Sequence, residues 1–232
     1  MAGTLVQALS YTMLAVVAAM VGGVVAVYRA PGPQMESNVQ HFAAGVVIAA
    51  VAAELLPDVH DRAPLVVVLG FAVGVATMLG VHRLSKLIEK RDVGGEFAGA
   101  AGLLITVGID MVIDGVLIGV TFLAEAATGV LIAVALAIEV LFLGVAGVVA
   151  LPESVGTLKK LAVPAAFGVL LTAGVTVGVV SLEGVTGAPI AVILAFGSAA
   201  LLYLVTEELL VKAQEVPETP TSTTLFFVGF LA

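Results

Sequence analysis

Asp110 and Asp114 lie four residues apart in LITVGIDMVIDGVLIG, residues 104–119, and Glu139 lies in a second run almost as apolar. In a helix that spacing puts the two aspartates on one face, one turn apart. A carboxylate at the middle of a run that crosses a bilayer costs roughly 2.5–3.5 kcal/mol on insertion scales, and more if it faces lipid. No Lys or Arg occupies the central part of any apolar run of the chain, so an internal ion pair cannot offset that cost. Protons, water or a bound cation remain. Two like charges this close are best reconciled by a cation between them. The chemistry implied is an oxygen-lined cation site of Asp110, Asp114 and Glu139, with Met111 offering a weak thioether.

These residues need a membrane-spanning scaffold, and the composition supplies one. Of 232 residues, 61% are hydrophobic and 11% charged, the mean hydropathy is +1.22, and apolar stretches of about 20 residues recur from end to end. Soluble domains rarely exceed about 50% apolar residues, and the alternating pattern of an outer-membrane barrel is missing. The fold class expected is an all-α integral membrane protein. With no cysteine, thiolate metal sites are excluded and any ligands must be oxygen or nitrogen. A net charge of -8 argues against nucleic acid as a partner. Few lysines among many acids, Val and Thr fit a salt-adapted source. Met1 opens a stretch with neither a basic n-region nor a cleavage site, which predicts a first transmembrane helix and not a signal peptide.

Spans are expected near 4–28, 38–57, 64–82, 98–124, 128–151, 160–182 and 189–211, in a single transmembrane domain covering 1–232. After the linker KAQEVPETPTST, a partial eighth span runs from 222 for 11 residues, about 16 Å of helix. Arg29, Arg83, Lys86, Lys90, Arg91, Lys159, Lys160 and Lys212 fall in alternate connections and Arg62 alone in the other set. That asymmetry predicts a multi-pass cell-membrane protein with its N-terminus outside. The connection HRLSKLIEKRDVGGEF reads as a solvated, headgroup-facing segment. Laying FAAGVVIAAVAAELLP (42–57) on FGSAALLYLVTEELLV (196–211) aligns Phe42 with Phe196 and Glu54 with Glu208. The two segments run in opposite directions by this topology, as in an inverted-repeat transporter.

At this point the pattern resembles the ZIP (Zrt/Irt-like) family of divalent metal transporters. DMVIDG (110–115) falls on a fourth-span motif like His-Asn-x-Pro-Glu-Gly, with Asp110 at the His position, Asp114 at the Glu and Gly115 at the Gly. EVLFLG (139–144) falls on a fifth-span motif like His-Glu-x-Pro-Glu-Gly, with Glu139 at the His position and Gly144 at the Gly. TEELL (206–210) is similar to the family's acidic Leu-Leu-Pro stretch near the cytoplasmic exit, and AAELLP (52–57) to its second span. The resemblance implies an eight-span, inverted-repeat helix bundle and zinc as the carried ion. The departures are specific. Ile113 and Phe142 replace both motif prolines, Met111 stands at the Asn position, Leu143 replaces the second acid, and neither helix keeps a histidine. A single ion is therefore expected, and a set of hard oxygens favours Mg, Mn or Ca over softer zinc, although carboxylates also bind zinc and ferrous iron.

Away from the midplane, Asp58, His60 and Asp61 could collect cations outside, and Glu207 and Glu208 could receive them on exit. His41 and His82 read as interfacial. The function expected is transport of a divalent metal cation toward the cytoplasm, the ion being a substrate and not a covalently held cofactor. The bilayer is the other partner, and a homodimer is compatible with the chain. Alternatives are a non-transporting membrane scaffold or sensor and a proton or monovalent-cation pathway. No nucleophile–base set or cofactor motif points to an enzyme.

Overall fold

Each apolar run forms helix in the computed structural model, which describes residues 2–29, 31–60, 62–90, 98–185 and 187–231; the side chains of 54, 58, 85, 88–90, 98, 99 and 208 are outside that description. The order is α1 (Ala2–Tyr28), α2 (Pro33–Ala50), a π turn (Val51–Leu55), α3 (Leu56–His60), α4 (Pro64–Lys90), α5 (Ala98–Ala124), α6 (Ala126–Val149), α7 (Thr157–Leu182), α8 (Ala188–Leu204), a second π turn (Val205–Leu209), α9 (Leu210–Ala213) and α10 (Pro220–Leu231). No strand occurs among the described residues. Helix starts follow local chemistry. Gly32 and Gly187 cap α2 and α8 ahead of a proline in the first turn, where a missing N–H costs nothing.

Among the described residues six helices are long and apolar enough to cross a membrane: Ala2–Tyr28, Pro64–Leu84, Ala100–Ala124, Ala126–Val149, Thr157–Leu182 and Ala188–Ala213. The second expected span lies on α2, its π turn and α3, and is not one of the six. Its first turns carry Gln34, Glu36, Ser37, Asn38, Gln40 and His41. The last lies on α10, whose 12 residues cover about 18 Å, short of a hydrocarbon core of about 30 Å. Large apolar side chains are exposed along the outer faces, among them Val17 and Val21 on α1, Val68, Leu69 and Val73 on α4, and Val177 and Val180 on α7. In a bilayer these faces meet lipid tails, which solvate them as water cannot.

Inside, α1 packs on α6 and α7, α5 on α7 and α6, α2 on α10, and α4 on α8. Small residues set the closest approaches. A Cβ on Gly22 would strike the Leu141 carbonyl and one on Gly144 the Ala19 carbonyl, where α1 crosses α6. Where α7 crosses α5, a Cβ on Gly174 would strike the Val112 carbonyl and one on Gly115 the Leu171 carbonyl. One constant shift in residue number carries Ala19 and Gly22 onto Leu171 and Gly174, and another carries Val112 and Gly115 onto Leu141 and Gly144. The same contact is thus made twice, once between α1 and α6 and once between α7 and α5. Likewise Gly229 abuts the Phe42 carbonyl and Gly74 the Phe196 carbonyl. The shift that takes Phe42 to Phe196 also takes one π turn, VAAEL, onto the other, VTEEL. An extra residue in each turn widens the helix at that level, and such insertions recur at functional sites.

Candidate metal centre

The shift relating α6 to α5 places Glu139 on Asp110, so the pair occupies equivalent positions of the two central helices. Asp110 and Asp114 are each 3% exposed and Glu139 is 1% exposed. One carboxylate oxygen from each lies within 4.8 Å of the other two. The three residues that the sequence singled out therefore converge. Around them Val107 and Ile118 on α5, and Leu136, Val140 and Leu143 on α6, form part of the apolar core. Met111 is fully buried in the same core. Around the helix it lies about 100° from Asp110 and about 60° from Asp114, at the edge of the face that carries the two aspartates.

The geometry suits a cation. Any three points within 4.8 Å of one another share a point no more than about 2.8 Å from each, close to the 2.3–2.6 Å of calcium–oxygen bonds and within a small side-chain adjustment of the 2.0–2.1 Å that magnesium needs. With all three ionised and no cation, each pair at that separation repels by about 3 kcal/mol at an effective dielectric constant of 20. One divalent charge at the shared point reverses that balance. Both α5 and α6 run as unbroken α-helix through Ile113 and Phe142, so the site is formed on straight helices, and glycines at 115 and 144 provide the close packing beside it.

Two clefts lie at opposite ends of α5. One, of about 270 Å³, is lined by Glu36, Ser37, Leu103, Ala146, Lys212 and Glu215 among others. The other, of about 410 Å³, is lined by Arg62, Leu123, Glu125, Gly187 and Ile190 among others. Leu103 lies seven residues before Asp110 and Leu123 nine after Asp114, about 10 Å and 13 Å along the helix. Along α5 the carboxylates thus lie between the two clefts; Val107 and Leu143 toward the first, and Ile118 and Phe122 toward the second, are buried. Ser37 Oγ donates a 2.6 Å hydrogen bond to the Ala213 carbonyl, tying α2 to α9 at the rim of the first cleft.

The remaining sequence candidates are dispersed. Glu207 is exposed in the second π turn, and the Glu208 side chain, in the same turn, lies outside the described residues. His60 is exposed at the end of α3; the Asp58 side chain and Asp61 are outside the described residues. His41 is buried where α2 packs against α6 and α10, with Nδ1 2.9 Å from the Ser37 carbonyl. His82 is half-buried near the end of α4. Sequence reasoning missed Gln40, which is 5% exposed with an Oε1 that accepts no hydrogen bond among the described residues. The available signal was its place one turn inward of Glu36 in a polar run. Compared with known families and with curated proteins, the chain matches none.

Proposed function

We propose that the protein carries divalent metal cations across the cell membrane toward the cytoplasm, binding one ion at a time between Asp110, Asp114 and Glu139. The observation that carries this reading is the convergence of three buried carboxylates at mid-helix, in a scaffold whose Lys and Arg residues all lie outside the central parts of its spans. Buried acids in membrane helices are costly and commonly mark ion and proton pathways. The twice-made glycine crossings and the matched π turns support an eight-span bundle of inverted repeats similar to that of ZIP transporters, with α2 to α3 and α10 as the two further spans. In such a bundle the ion stays near the midplane while one helix group rocks against the other, opening the two clefts in turn. The N-terminus is outside in this reading, so the cleft at Glu36 and Glu215 faces the cytoplasm.

An all-carboxylate site prefers hard cations such as Mn2+, Mg2+ or Ca2+, whereas the family resemblance points to zinc. The ion is substrate throughout, and the reading contains no enzymatic step. Uptake of Mn2+, Zn2+ and Mg2+ into proteoliposomes tests it, with Asp114→Asn/Glu139→Gln as control. The expected result is metal flux lost in the double variant. Equal flux in both proteins removes the assigned site, tight binding without flux indicates a sensor or scaffold, and proton movement without metal indicates a proton pathway.

A further inference from the structure

Between the carboxylates and the cleft at Glu36, α5 and α6 offer one side-chain oxygen, the Thr106 hydroxyl one turn from Asp110, which donates to the Gly102 carbonyl at 2.9 Å; Val107 and Leu143 are buried, and Ala146 lines the cleft. An ion crossing that gap of about 10 Å sheds hydration with few oxygens to replace it. Helix α2 supplies a second. Gln40 lies three residues beyond Ser37 and four beyond Glu36, both of which line the cleft. It therefore occupies the same helix face one turn deeper, about 4.5–6 Å further along the axis. Its neighbours are satisfied locally, Ser37 Oγ by the Ala213 carbonyl and His41 Nδ1 by the Ser37 carbonyl. Gln40 is buried to a similar degree, yet its Oε1 has no hydrogen-bond partner among the described residues. A buried amide oxygen left alone costs about 1–3 kcal/mol, so an amide serving only to pack α2 would be better replaced by a leucine.

We propose that Gln40 is an inner relay ligand: its Oε1 coordinates the cation after it leaves Asp110, Asp114 and Glu139 and before it reaches Glu36 and Glu215 in the cleft. Amide oxygens are ordinary ligands for hard cations. At this point in the path Gln40 Oε1 would replace a lost hydration oxygen. The inference rests on the transport reading above and adds a residue and a step to it.

The test uses Mn2+ alone as probe, with the full chain in proteoliposomes for initial rates and in detergent for equilibrium binding. Gln40→Leu is expected to lower the maximal uptake rate about tenfold, the loss of one ion–amide contact at the barrier, while the half-saturating Mn2+ concentration and the equilibrium affinity stay within about twofold. Gln40→Met, unbranched and nearly isosteric, guards against a packing defect and is expected to behave as the leucine variant does. Gln40→Glu restores an oxygen and is expected to recover uptake to within about threefold. Wild-type rates in both apolar variants would overturn the relay, and so would equal failure of the glutamate variant in well-folded protein. If wild-type uptake survives Asp114→Asn/Glu139→Gln, the assigned carboxylate site falls. If those substitutions abolish uptake while the Gln40 variants leave it intact, only the relay falls.

Discussion

Replacing Asp114 by asparagine should move metal affinity and metal-free stability in opposite directions. With oxygens within 4.8 Å, each carboxylate pair repels by about 3 kcal/mol at an effective dielectric constant of 20, so deleting the Asp114 charge removes two of the three repulsions, up to about 7 kcal/mol. A divalent ion at the shared point, about 2.8 Å from each oxygen, attracts each carboxylate by about 12 kcal/mol on the same scale. The carboxylate repulsions are present with and without the ion and cancel on binding. Affinity should therefore fall by several orders of magnitude, by that lost attraction less what the asparagine oxygen and water return. Asparagine keeps the shape and one oxygen, which limits any packing change. Thermal unfolding in detergent, with and without Mn2+, reads both effects. Wild type should gain stability with Mn2+ by mass action, and Asp114→Asn should lose that gain while melting higher than wild type in chelator. Each kcal/mol recovered is worth about 2–4 °C in a chain of this size. A variant that melts lower in chelator and keeps the full Mn2+ shift would refute the reasoning, since the charge would then be compensated by the protein itself.

Other consequences follow from named contacts. Gly144→Val would drive a side chain into the Ala19 backbone and should cost about 1–3 kcal/mol or more by overpacking; Gly115→Val, its counterpart against Leu171, should cost a similar amount, and thermal unfolding of both variants checks the repeat. Ser37→Ala removes the bond to the Ala213 carbonyl and should destabilise the α2–α9 contact by about 1 kcal/mol, seen as faster hydrogen exchange in residues 210–213 with the carboxylate site unaffected. Because the chain has no cysteine, single cysteines report topology directly. Cysteine in place of Gly3 should react with an impermeant reagent outside intact cells, and cysteine in place of Leu158, 85% exposed at the start of α7, should react only after lysis. The reverse pattern would invert the direction of transport.

The site was readable because it breaks the local rule. Asp110, Asp114 and Glu139 stand in runs whose every other preference is apolar, and their energetic cost announces them without any fold. Their convergence could not be read from one helix: the i, i+4 spacing aligns the aspartates, but Glu139 joins them only because α6 packs against α5. The Glu-Leu-Leu echo at Glu54 and Glu208 marked the right places for a different reason than the one visible in sequence. What repeats there is a backbone feature, the π turn, which has no residue signature of its own. Gln40 and His41 were hidden because a polar run at a span's start looks interfacial. They are buried because α2 continues past that run into contact with α6 and α10.

The central claim is that the three carboxylates share one cation, and anomalous diffraction from crystals soaked in Mn2+ measures that directly. The expected result is a single peak within bonding distance of Asp110, Asp114 and Glu139, absent in Asp114→Asn. Carboxylates that stay together with no peak between them, or a peak that persists in the variant, would contradict it.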